Sequence, residues 1–111
     1  MKLAYAVERL YATGWTVADD LGLETLPDGR KYPSVLAVTR EFAQNGLDLS
    51  IKHNLIFNCY RAAWHPADPS ELDSEPYRTG TVIGACEREA AVYALAQLRE
   101  ALAEHRTLAT A

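Results

Sequence analysis

The chain has 111 residues, enough for one domain with a single core, and 49% of them are apolar against 23% charged, which excludes wholesale disorder. Its formal net charge is −4, with acids and bases interspersed, so nucleic-acid binding would require a local basic patch. Glu8 and Arg9 interrupt the first apolar stretch, which excludes a signal-peptide core there, and no later run reaches membrane-spanning length. Cys59 and Cys86 make no disulfide framework and, with no export signal, are expected to be reduced thiols in the cytoplasm.

Leu3, Ala6, Val7 and Leu10 recur at helical spacing and Gly14 follows at a C-cap position, which predicts a helix over 2–13. Trp15 to Val17 is a short strand candidate. Leu21 to Thr25 and Arg30 to Tyr32 flank Pro27-Asp28-Gly29, where proline sets one dihedral and glycine permits a positive one, so a hairpin is expected. Ser34 can cap a second helix whose Val35, Val38 and Phe42 share a face, and Asn45-Gly46 stops it. A strand over 35–42 is the competitor, because β-branched residues are frequent there.

Leu47, Leu49 and Ile51 alternate with polar residues, as in a half-buried strand. His53-Asn54 reads as a tight connection into a second strand, Leu55 to Trp64, with Phe57, Cys59 and Ala63 on one face and Ile56, Tyr60, Ala62 and Trp64 on the other. A strand apolar on both sides calls for cover on both. The N-terminal helix and hairpin would supply it within the chain, or a partner protein from outside. An acidic proline-bearing loop, His65 to Pro76, leads to a third strand, Thr79 to Ala85. A last helix over 87–104 then buries Ala91, Leu95, Leu98 and Leu102 and turns Glu89, Gln97, Glu100 and Glu104 to water.

The expected architecture is α+β: a helix–strand–strand–strand–helix core over 34–105, its three-stranded antiparallel sheet packed on two helices. A helix and hairpin extension over 1–33 precedes it, and a frayed tail over 106–111 follows within one globular unit. From Pro33 to about Glu104 this order resembles the double-stranded RNA-binding domain. The closing segment is similar to that family's last motif, with Gly84, Cys86, Glu87, Arg88, Ala90 and Ala91 at its places. The resemblance implies RNA contact from basic residues at the start of the last helix and from the loop after the first core strand. Here Arg88 keeps one such position, Glu87 reverses one and Ala91 neutralises one, while Lys52-His53-Asn54 stands at the loop. Losing two or three phosphate contacts costs orders of magnitude in affinity at physiological salt. The resemblance therefore implies the fold more than the activity.

Cys59, His65 and Asp68 can be drawn as a constellation, but residues six apart along a strand are too far apart for a thiol and its base; Cys59 is better read as a small core hydrophobe. Cys86 starts the last helix beside Glu87 and is better read as a structural cap or packing residue than as a reactive thiol. His53 and His105 are isolated, and Asp68, Glu71, Asp73 and Glu75 lack the glycine and terminal glutamate of a calcium loop. No catalytic residues, metal or cofactor are expected. The leading expectation is a noncatalytic interaction module, with a protein partner or a second copy meeting a face made of Tyr60, Trp64, Ile56 and Trp15. The alternative is a weak binder of structured RNA through Arg88, Lys52 and Arg78. A small Cys/His enzyme comes third, and no membrane partner is expected.

Overall fold

A computed structural model describes residues 2–17, 22–68 and 78–110. Helix α1 spans Lys2–Ala12, and strands β1 (Leu23–Thr25) and β2 (Lys31–Pro33) form a small antiparallel hairpin. Helix α2 (Val35–Gln44) follows, then strands β3 (Leu47–Asn54), β4 (Cys59–Pro66) and β5 (Gly80–Gly84), then helix α3 (Glu87–Thr110). The sheet is antiparallel in the order β3-β4-β5. The class is α+β, as the sequence pattern requires.

Local chemistry sets most of these boundaries. The Ser34 hydroxyl accepts from the Ala37 N–H at 3.1 Å and so caps α2. Asp28 accepts from the backbone N–H of Arg30 and holds its guanidinium at 2.9 Å, bracing the first hairpin turn. At the start of α3 the Cys86 sulfur accepts from the Glu89 N–H, while the Glu89 carboxylate reaches back to accept from the Ala85 N–H. That reciprocal arrangement is close to a capping box. It also explains why Glu89, expected to face water, is buried.

Helix α3 is the centre of the molecule. Ala90, Ala91, Val92, Ala94, Leu95, Ala96 and Leu98 are all buried, so the helix is enclosed on nearly every side through its first half rather than along one stripe. Ala6, Val7 and Leu10 of α1, Val38 and Phe42 of α2, and Leu47, Ala62 and Trp64 of the sheet complete the core. Two glycines set the closest approaches. A Cβ on Gly80 would run into the Trp64 indole, and one on Gly84 would lie 2.5 Å from the Ala90 nitrogen. The Gly80-x-x-x-Gly84 spacing thus lets a ring lie over one end of β5 and α3 press on the other.

Besides Glu89, four sequence expectations are corrected. Trp15 to Val17 is not a strand; Trp15 lies against Tyr11 with ring centroids 5.6 Å apart, and the Tyr11 hydroxyl donates to the Lys31 carbonyl. The second core strand begins at Cys59, not Leu55, because Leu55 to Asn58 form the turn. The N-terminal segment does not cover the second face of the sheet: α1 packs on α3, on the same side as α2. The opposite face, with Asp48, Ser50, Lys52, Arg61, His65 and Thr81, stays exposed; its supposed apolarity came from counting turn residues as strand. Finally, α3 runs to Thr110, past the end expected at residue 104. Leu21, Glu71, Asp73 and Glu75 lie outside the described residues. Among the described residues no helix is long and apolar enough to cross a membrane.

Candidate functional site

The β3–β4 turn is built by asparagines and occupied by hydrocarbons. The Asn54 carboxamide oxygen accepts from the backbone N–H of Ile56 at 3.0 Å and of Phe57 at 3.2 Å, an Asx turn that replaces ladder hydrogen bonds. Asn58 adopts φ 48°, left-handed backbone that asparagine tolerates better than most residues. Its carboxamide oxygen lies 3.2 Å from His53 Nε2, and the His53 ring stacks on Tyr60 at 4.4 Å. Between these asparagines Leu55, Ile56 and Phe57 stand 82%, 87% and 76% exposed. Each forgoes about 1.5–3 kcal/mol of possible burial.

Beside this tip lies a cleft of about 580 Å³. One wall is Tyr5 and Arg9 of α1 with Glu89 and Tyr93 of α3; the other is Val82 to Ala85, and Phe57, Asn58 and Cys59 close one end. Tyr5 and Tyr93 meet at 6.2 Å, and the Arg9 guanidinium sits 5.6 Å from the centre of the Tyr93 ring while bonding Glu100 at 2.6 Å. Burial raises the Tyr93 phenol pKa above its ordinary value; Glu89 and Tyr5 add to that, and Arg9 opposes it. Tyr5 and Ile83 are themselves exposed large apolar side chains, so cleft and tip adjoin. Five such residues, at roughly 150–250 Å² each for the aromatic ones, expose on the order of 600 Å².

The residues singled out in the sequence do not gather. Trp64 is 3% exposed and packs on Phe42 at 5.3 Å, on the helix side of the sheet. Tyr60 is half-buried on that side, Trp15 belongs to the α1–hairpin contact, and Ile56 alone stands on the open tip. The physical reason is register: Tyr60, Ala62 and Trp64 alternate toward the helices, while Ile56 is in the turn and outside that alternation.

The three candidate cations are also dispersed. Arg88 bonds both Glu24 carboxylate oxygens at 3.0 Å, which raises its pKa and ties the hairpin to α3. Lys52 lies directly across from Arg61 on the open sheet face. Arg78 reaches the Gly46 carbonyl at the opposite end of the sheet from the tip, about 20 Å away along the strands.

Cys59 and His65 remain six residues apart on the continuous strand β4, and His65 Nδ1 sits 2.9 Å from the Pro66 carbonyl oxygen. Cys86 is exposed with its sulfur 3.4 Å from the Glu89 N–H.

Tyr5, Arg9, Leu55, Phe57, Ile83 and Tyr93 were missed by sequence reasoning. The only local signal was Asn54 and Asn58 bracketing an apolar run. No family model, no curated protein and no solved structure matches the chain.

Proposed function

We propose that the chain is a noncatalytic interaction module whose contact surface is the Leu55–Phe57 tip and the adjoining cleft. The observation that carries this reading is the exposure of three consecutive large apolar side chains on a turn held in shape by its own asparagines. A turn that only reversed the chain would be served by polar residues, as Asp28 and Gly29 serve the first hairpin. The partner is a protein, supplied by another chain or by a second copy. RNA binding draws less support, because Arg88 is held by Glu24 and the other two cations do not converge with it.

Quantitative affinity capture with the wild-type chain and with a Leu55→Ser/Ile56→Ser/Phe57→Ser variant tests the reading, alongside sedimentation of both over a range of concentrations. A bound protein or a dimer present for the wild type and absent for the variant is expected. Identical capture by both, with both monomeric throughout, refutes it.

A further inference from the structure

Val82, Ile83, Gly84 and Ala85 line the cleft consecutively, yet their side chains do not share a face. Val82 packs toward the core and Gly84 is buried under α3, whereas Ile83 is exposed on the opposite side. Consecutive residues of alternating orientation line one cavity where it passes the edge of their strand, here at the C-terminal end of β5 beside Asn58 and Cys59. Among the described residues β5 is an edge strand, paired with β4 alone. Every second residue of it therefore directs its N–H and C=O away from β4, toward the cleft. Its sequence, Gly-Thr-Val-Ile-Gly, carries none of the lysines, prolines or inward charges that usually blunt an open edge. Across the cleft stand Tyr5, Glu89 and Tyr93.

Charge on the open face completes the picture. Arg61 lies directly across from Ile83 on one side and from Lys52 on the other. Like charges placed opposite each other in a sheet destabilise it, and neither cation makes an ion pair among the described residues. From Leu49 to His65 there is no acid at all, in a chain with 15.

We infer that the cleft receives an extended peptide segment of a partner protein, added to β5 as a fourth strand, with apolar side chains inward and acidic ones outward. This rests on the interaction-module reading and names the partner's form. Main-chain hydrogen bonds to the free edge of β5 provide affinity, and alternate side chains provide specificity, as in other strand-addition complexes. Inward positions meet Tyr5, Tyr93 and Val82, beside a carboxylate that disfavours acids. Outward positions lie next to Ile83 and one strand beyond Arg61, about 10 Å away, a span that an arginine and a glutamate side chain can cover together. The five residues of β5 span about 17 Å, so a segment of five to seven residues fills the edge.

The probe is a panel of seven-residue peptides, acetylated and amidated, with glutamate at outward positions and valine, leucine or phenylalanine at inward ones. The matching panel carries lysine for glutamate. Binding is followed by amide chemical shifts and hydrogen exchange of the full chain. The expected result is protection of alternate β5 amides, with glutamate peptides binding at least tenfold tighter than lysine ones and Arg61→Glu cancelling that preference. N-methylation of alternate peptide amides should abolish binding in one frame and leave it nearly unchanged in the other.

Absence of binding by the whole panel at about 1 mM overturns the inference, as does equal tolerance of N-methylation in both frames. If β5 amides become protected with rising protein concentration and no peptide, the occupant is a second copy and the acidic-peptide inference falls. If β5 stays unprotected while the tip variant still loses a protein partner, strand addition fails and the interaction reading stands.

Discussion

The β3–β4 hairpin uses the same kind of residue at its two ends and treats it in opposite ways. At the base, Leu47 lies across from Pro66 and Leu49 across from Trp64, and these side chains face α2 and α3. At the tip, Leu55, Ile56 and Phe57 face water. Hydrophobicity does not distinguish the ends. At the base the ladder alternates and half the side chains meet helices, whereas at the tip the Asn54 side chain replaces the ladder and frees three successive residues from alternation. Large apolar residues at the base contribute to the fold. At the tip they leave stability on the table, which makes the tip the place to look for binding.

Substitutions should separate the two ends, beginning with the largest effect. Trp64→Ala removes a ring enclosed by Phe42 and Gly80 and is expected to cost about 3–5 kcal/mol in denaturant unfolding; a cost under about 1 kcal/mol would mean that the base is not the anchor described. Asn54→Ala removes two hydrogen bonds to the turn backbone and should cost about 1 kcal/mol, with amide exchange accelerating at Ile56 and Phe57 first. If exchange instead rises uniformly over β3 and β4, tip and base are one cooperative unit.

Tyr93 connects the comparison to pH. Its folded pKa is raised by burial, so its contribution to stability is fully present below the unfolded phenol pKa, about 10, and is lost as pH rises through the folded value. Tyr93→Phe, which has no phenol to ionise, should therefore make the chain more resistant to alkaline unfolding, with little change at pH 7. An unaltered alkaline limb would show that cleft burial does not govern this ring. The smallest effect belongs to Ile56→Ser: stability within about 0.5 kcal/mol of wild type, measured together with loss of the partner. A larger destabilisation would show that the tip serves the fold after all.

How much of this was legible in the sequence depends on the range of the interaction responsible. The Ser34 cap, the Pro27-Asp28-Gly29 turn and the alternation of Leu47, Leu49 and Ile51 are local, and each produced the expected element. The second turn was misread because Leu55, Ile56 and Phe57 have the residue types of a buried strand, while the Asn54 side chain that overrides them leaves only a weak mark. Glu89 was assigned to the solvent side because an amphipathic stripe counts faces, not caps. The cleft was not legible. Tyr5, Phe57, Ile83 and Tyr93 come from four separate segments, and only the docking of α1 on α3 beside β5 brings them to one cavity.

The central position of α3 also has a consequence for biosynthesis. The helix against which α1, α2 and the three-stranded sheet pack follows all of them in the sequence and is made after them. At about 5–20 residues per second, the ribosome needs roughly one to five seconds to add its 24 residues. Through that interval Trp64, Leu47 and Phe42 have no α3 to settle against, and the nascent β3–β4 hairpin presents apolar residues at its base as well as its tip. Completion of α3 ends that exposure at the base and leaves the tip uncovered.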